Sequence, residues 1–340
     1  MHAGKHFTIK EVLFWTHRDI ITLLIVATVP TFLFVVFDCK WLSIPWLPIA
    51  LLGTAVAFVI GFANNASYDR MWEARKAWGA IVNSSRAWGI LVRDYVTNRH
   101  ATYKLSDGEL AKIHQQLVTR HYAWLTALRY QLREPRVWEA IYQTHNAEYK
   151  ERFFTVEEHN GNLETELLKY LPAEEVKYVL SKTNRAAQLL SLQSKQLKEL
   201  LELGLIEDFR HMELEKLVLD FYNQQGVSER IKNFPYPRQY STLNLYFTKI
   251  FILLLPFGML QEFSKLGGNL IWLSIPFSAL ASWVFTTMAK IGESTENPFE
   301  GSANDVPITA MSRSIEIDLR EMFNEKEIPA PIKPVNNILT

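Results

Sequence analysis

Four long stretches of this chain carry almost no charge, and they constrain its fold more than any other feature. Ile20–Phe37 (18 residues) and Trp41–Tyr68 (28 residues) hold no Asp, Glu, Lys or Arg. Gln239–Leu260 (22 residues) is interrupted only by Lys249, and Leu266–Ala289 (24 residues) has no charge at all. A bilayer core of ~30 Å needs ~20 mostly apolar residues as helix, and every stretch is long enough. The zero net charge therefore averages two materials: 92 residues with one charge, and 248 residues with the other 71.

The stretches fall into two close pairs. Asp38-Cys39-Lys40 joins the first two, and Gln261 to Lys265 joins the last two, so each pair reads as an antiparallel helical hairpin. Four crossings place both termini and the long middle region on one side of the bilayer. Lys5, Lys10 and Arg18 precede the first span, Arg70, Arg75 and Lys76 follow the second, and Lys290 follows the fourth. The short loops carry only Lys40 and Lys265. Basic residues near span ends mark the cytoplasmic side, so the bulk and both termini are expected in the cytoplasm. No signal peptide is read at the N-terminus, because the apolar run starts late and lacks a small-residue cleavage site. The expected organisation is a cytosolic segment (1–19), a first transmembrane hairpin (20–68), a cytosolic domain (69–238), a second hairpin (239–289) and a cytosolic tail (290–340).

The charged regions read as helices too, which makes the chain all-α. Ser106-Asp107-Gly108 opens a helix whose apolar residues recur every three or four positions through Leu128. A second is expected from Ala173 to Leu203, ended by Gly204, and a third over Met212–Gln224, stopped by Gln225-Gly226. The tail beyond Ile328, with Pro329, Pro331 and Pro334, is expected to be extended or disordered unless it wraps a neighbouring chain. Balanced charge argues against a nucleic-acid partner. The lone Cys39 excludes a disulfide framework and a Cys-based zinc cluster. No Gly-rich phosphate loop, nucleophile elbow or HExxH motif appears, so nothing points to an enzyme or a cofactor, and no metal site is expected.

The second span carries the candidate functional residues. Thr54, Phe58 and Phe62 stand at i, i+4 and i+8 on one helical face, among Gly53, Ala55, Ala57, Gly61 and Ala63. Small residues let helices approach closely in lipid, so this face suits a packing seam. It also suits the wall of a narrow pore, where apolar rings gate by dewetting, although periodicity alone favours the packing seam. The helix continues past it without a turn signal.

Here the sequence resembles the bestrophin family, its bacterial branch in particular. The resemblance rests on Gly61-Phe62 followed by Asn64-Asn65-x-x-Tyr68-Asp69-Arg70-x-Trp72-Glu73-x-Arg75-x-x-Trp78. It rests also on Glu296-Asn297-Pro298-Phe299 with Asn304-Asp305-x-Pro307, and on Gly226-x-Ser228-Glu229-Arg230-Ile231 with Pro235, Pro237 and Tyr240. It covers about Phe14 to Phe323, excepting a variable helical region at Asn98–Phe154. The resemblance implies a homopentamer around one axial pore, whose partners are its own copies, the lipid bilayer and monovalent ions. It places Thr54, Phe58 and Phe62 in three rings of a hydrophobic neck, with Thr54 where relatives commonly have Ile. Asn64 and Asn65 would sit at the neck's cytosolic mouth, touching a dehydrating ion or capping helix contacts. A second constriction follows a Gly-x-Ile motif, matched by Gly204-Leu205-Ile206, which points to Phe209, with Met212 the alternative. Animal members bind calcium after Asn-Pro-Phe through an acidic run; here only Asp305 keeps a carboxylate and Ser302 replaces another. No calcium activation is expected, since such sites need several anionic oxygens.

The functional expectation is a passive ion channel of the bacterial inner membrane. Monovalent cations are favoured over anions, because no fixed positive ring lines the neck and bacterial relatives are cation-permeable. The alternative from another class is a non-conducting membrane scaffold or sensor with a helical cytosolic domain. A secondary transporter would show mid-span ionisable groups or broken helices; Pro30, Pro256 and Pro276 could break helices, but Lys249 is the one charge within a span.

Overall fold

The computed structural model describes every residue except Thr102. Twelve α-helices and three short 3₁₀ turns make up the regular structure of the described residues. Four of the helices form the apolar bundle: α1 (Ile9–Val36), α2 (Trp46–Tyr95), α10 (Arg238–Ser264) and α11 (Ser274–Thr295). Each of the four is long and apolar enough to cross a membrane. Between the second and third lie α3 (Asp107–Arg133), α4 (Thr144–Phe153), α5 (Glu157–Asn160), α6 (Leu163–Leu167), α7 (Ala173–Leu180), α8 (Arg185–Glu202) and α9 (Asp208–Asn233). The last helix, α12 (Ile308–Met322), packs back on α2 and α3.

Local signals account for the boundaries. Helix α1 begins well before its apolar run because Thr8 and Glu11 form a capping box, in which the Glu11 carboxylate accepts the Thr8 N–H at 2.6 Å. Ser106 and Glu109 do the same for α3, where the helix was expected. The single helix expected over Ala173–Leu203 is two: Ser181–Asn184 interrupts it, and the Asn184 side chain caps α8 by accepting the Ala187 N–H at 3.0 Å. Gly204 ends α8 as anticipated, with φ +71°. Its N–H reaches the Leu201 carbonyl at 2.9 Å, and that of Leu205 reaches Leu200 at 2.9 Å, the Schellman pattern.

Other expectations are corrected. Helix α9 runs straight through Gln225 and Gly226, because buried Phe221, Gln224, Gln225 and Ser228 pack its far half into the core. The fourth span starts at Ser274 rather than Leu266, since Gly267 and Gly268 take positive φ and a 3₁₀ turn follows. Pro30 and Pro256 lie inside continuous helices and Pro276 in the first turn of α11. Proline is tolerated in a bundle because neighbouring helices and hydroxyls resatisfy the freed backbone. Thr31, next to Pro30, donates to the Ala27 carbonyl at 2.9 Å and lies 3.0 Å from the Ser274 hydroxyl on α11. The chain runs without regular structure from Glu327 to Pro334, and then Asn336 and Asn337 adopt positive φ, turn it back, and bury Ile338 near Tyr149 and Phe154. The N-terminal strand-like segment pairs with it, the Ala3 N–H meeting the Asn337 carbonyl at 2.6 Å.

Helix α2 organises everything else. Its 50 residues extend roughly 75 Å at 1.5 Å per residue, far more than a bilayer core. No stop signal divides it at residue 68, so the expected boundary between hairpin and cytosolic domain is a change of surroundings, not a break. The upper part presents Ile49, Val56 and Ile60 to Phe251 and Leu255 of α10. Gly53 permits this approach, because a Cβ there would stand 2.7 Å from the Phe251 ring. The lower part feeds Trp78, Ile81, Trp88 and Val92 into the main core, alongside Trp124 of α3 and Phe221 of α9.

His121 sits inside that core, 2.9 Å from the Ser85 hydroxyl and against Trp124 and Phe221. Burial pushes its imidazole down to about 3. The unfolded chain therefore takes up a proton near pH 6.5 while the folded chain does not, and stability falls as pH drops from about 6.5 toward 3. The slope is up to ~1.4 kcal/mol per pH unit for this one group. Melting curves between pH 7.5 and 5 should show this acid lability, and His121→Gln should flatten it. An unchanged slope in the variant would remove His121 as the cause.

Candidate pore-lining face

The side of α2 opposite its buried stripe carries Thr54, Phe58 and Phe62. Thr54 is exposed, Phe58 is 65% exposed and Phe62 is 70% exposed, with nothing of the chain covering either ring. Large apolar side chains left bare on a bundle mark a surface that meets lipid, a partner or a pore. The Thr54 hydroxyl donates to the Ala50 carbonyl at 3.0 Å, so its proton is committed to its own helix. The residue thus presents mainly its methyl group, which moderates the wetting effect a free hydroxyl would have.

The two asparagines separate. Asn64 turns toward α11, where its Nδ2 donates to the Met288 carbonyl at 3.1 Å. Gly292 makes room for it, since a Cβ at 292 would stand 2.1 Å from the Asn64 Oδ1. Asn65 is exposed and continues the stripe of Thr54, Phe58 and Phe62. Seven residues below Phe62, two helical turns on, the same stripe carries exposed Asp69. Sequence reasoning quoted Asp69 only as part of a motif; its i+7 spacing from Phe62 was the available signal. Tyr68 and Trp72 follow beside it, with ring centroids 6.3 Å apart.

Phe209 lies in the first turn of α9 and is 84% exposed, and Met212 is exposed one turn later. The Schellman turn at Gly204 sets where α9 begins, and the Glu207 carboxylate there pairs with His100 at 2.7 Å. Arg210 lies 5.4 Å over the Tyr95 ring at the far end of α2. Phe209 therefore belongs to the end of α2 remote from the bundle, roughly 50 Å along the helix from Phe62.

Three motif blocks that are far apart in sequence converge on Arg70. Its Nε donates to the Glu296 carbonyl at 2.8 Å, Nη1 to Phe234 at 2.9 Å and Nη2 to Ile231 at 3.0 Å. One guanidinium thus satisfies carbonyls that end α9 and α11 and fastens both to α2. Arg238, at the start of α10, pairs with the Glu296 carboxylate at 2.7 Å.

The loop from Glu296 to Asp305 is built around Asp305, which is buried. Oδ1 accepts the N–H groups of Phe299 (2.8 Å) and Val306 (2.6 Å). Oδ2 accepts the Gly301 N–H (2.7 Å) and Arg133 Nη1 (2.6 Å). This wrap holds Phe299 at φ +72°, a left-handed conformation a bulky residue adopts only under constraint, and buries its ring completely. All of the carboxylate's usual acceptor positions are taken. Glu300 next to it is wholly buried, and burial pushes its carboxyl well above the usual carboxylate range. It accepts the Ala140 N–H at 3.0 Å. Among the described residues no group of three or more His, Cys, Asp or Glu side chains is arranged to hold a metal ion.

Comparison with known proteins bears on the chain as a whole. The family model described as Bacterial/Fungal Bestrophin protein matches residues 10–321. The "Voltage-dependent anion channel-forming protein YneE" of Escherichia coli K12 is 27% identical over 335 residues, covering 96% of this chain and 95% of that protein. The similarly named RSc3414 of Ralstonia nicotianae is 27% identical over 283 residues, 83% of this chain and 78% of that protein. Among solved structures, a bacterial bestrophin homolog from Klebsiella pneumoniae superposes with a TM-score of 0.74 at 22% identity, over 92% of this chain and 99% of that one. With a family match across nine-tenths of its length and four apolar helices in the arrangement described, this multi-pass membrane chain belongs to the bacterial and fungal bestrophin family.

Proposed function

We propose that the chain forms a passive channel for monovalent ions, assembled as a homopentamer in the bacterial inner membrane with both termini in the cytoplasm. The family is one of channels and not of enzymes. The observation that carries the reading is the bare stripe of Thr54, Phe58 and Phe62 on a helix whose opposite face is fully packed. Copies of that stripe turned toward a common axis make a narrow apolar neck, which passes ions only when wetted. Phe209, on its exposed turn at the far end of α2, supplies the second constriction. Calcium plays no part in opening: the Asp305 oxygens serve three backbone N–H groups and Arg133, and burial of Glu300 disfavours its charged form.

An uncharged neck does not choose a sign, so charges near its mouths must. Asp69, repeated in every subunit two turns below Phe62, puts a carboxylate ring at the mouth and favours cations. A second reading, anion conduction, is favoured by the names of the relatives, which are called anion channel-forming proteins. Reversal potentials of the purified protein in planar bilayers under KCl gradients separate the two. The cation reading expects a potential near that of K⁺, moved toward zero by Asp69→Asn. A potential that follows chloride establishes the anion reading. Absence of current together with an intact oligomer would leave the scaffold or sensor as the function.

A further inference from the structure

At the foot of the bundle, where the charged end of α1 meets the last turns of α11, the structure holds a cavity of about 320 Å³. That size lies in the range of small-molecule sites. Its walls are mostly apolar and aromatic: Phe7 and Trp15 from the α1 end, Tyr149 from α4, Phe154 just after it, and Ile291 from α11. The walls are fixed. Trp15 Nε1 donates to Asn146 Oδ1 at 2.9 Å, Asn146 in turn donates to the Ala140 carbonyl at 2.9 Å, and Tyr149 and Phe154 are buried.

One charged side chain lines the cavity, Glu11, which is 9% exposed. The Thr8 N–H and hydroxyl both donate to its Oε2, and the buried Tyr149 hydroxyl, which has no other partner, lies close enough to share the carboxylate. Burial, and then the Glu11 carboxylate beside it, push the Tyr149 phenol above its ordinary value, so this wall stays neutral. Two further hydroxyls in the lining, on Thr287 and Ser302, are buried without a hydrogen-bond partner. Lys290, which approaches Trp15 from behind, is already paired with Asp19.

An anionic ligand would meet Glu11 unfavourably, and a neutral one would leave its buried charge uncompensated. We propose that this cavity binds a lipophilic primary ammonium, with its head on the Glu11 carboxylate and its aryl or alkyl arm among the aromatic walls. An –NH₃⁺ group brings three donors and no acceptor, which matches one carboxylate and two unpartnered hydroxyls. The aromatic faces add cation–π attraction and burial of the arm.

The test is titration of the purified full chain, in phosphatidylcholine nanodiscs at pH 7.5, with 4-phenylbutylammonium, read by Trp fluorescence and calorimetry. Saturable binding of one molecule per chain is expected. The isosteric alcohol 4-phenylbutan-1-ol and the anion 4-phenylbutyrate should bind at least tenfold more weakly. Glu11→Gln should weaken the ammonium at least tenfold, while Gln still serves as the third residue of the capping box. Ala303→Trp, which fills the cavity from the opposite wall and leaves Glu11 in place, should abolish binding. Melting curves matching the wild type would show that both variants fold. Equal affinity for the alcohol, preference for the anion, indifference to Glu11→Gln or no saturable binding would each overturn the proposal. Since the readout is binding and not current, its failure is distinct from failure of the channel reading.

Discussion

Replacing Phe58 and Phe62 together by Ala is expected to raise ion flux through reconstituted protein at least about tenfold, because a barrier lowered by only ~1.4 kcal/mol already does so. Both rings are bare on the isolated chain, so their loss leaves no cavity in the subunit and should not lower its melting temperature. In the proposed neck, removing two aromatic rings widens the passage and lowers the cost of wetting, and that cost is what holds a dewetted constriction shut. Thr54→Ile should act in the opposite direction, narrowing and drying the upper ring. Liposome flux under a KCl gradient, alongside the oligomer's elution volume, reads both effects. Unchanged flux with a weakened oligomer would make this stripe a packing seam.

The second large effect concerns stability. Asp305→Ala removes the acceptor of three buried N–H groups and leaves the buried Arg133 guanidinium with only the more distant Glu158 carboxylate, 3.9 Å from its Nε. Breaking a buried pair from one side costs roughly 3–5 kcal/mol, and the left-handed turn at Phe299 loses its support as well. The apparent melting temperature should fall by on the order of 10 °C. Asp305→Asn keeps the shape and two acceptor positions on one oxygen, and should fall between. Addition of calcium should change neither variant nor wild type. A melting curve unaffected by Asp305→Ala would mean that the loop is held by other contacts.

The reach of the sequence differed sharply between parts of this molecule. Spans and the helical class were legible because a membrane helix is specified by composition over ~20 residues, which no local detail can disguise. The capped start of α3 and the glycine stop at 204 were legible because those signals act within a few residues. Helix limits set by packing were not. Gly226 lies inside α9 because the buried residues around it hold the helix together, whereas Asn184 breaks the expected 173–203 helix by capping its second half. The ordered chain end was hidden for the same reason: Ile338 finds its place only against Tyr149, Phe154 and Val156, far away in sequence.

The candidate site divides along the same line. Periodicity alone placed Thr54, Phe58 and Phe62 on one face, since a helix's 3.6-residue repeat follows from its backbone. Which face of α2 would be covered depended on α10, whose Phe251 enters the space that Gly53 leaves. That packing decides that the Phe rings are bare and that, of two neighbours in sequence, Asn64 reaches α11 while Asn65 stays exposed. The sequence by itself determined the spans and the stripe, because each follows from local composition and helical geometry, whereas tertiary packing set α1 against α11 and not against α2. Only the tertiary structure decided the roles of Arg70 and Asp305. Their guanidinium and carboxylate act on backbone groups from several elements, and no spacing in a linear chain records which of those will meet.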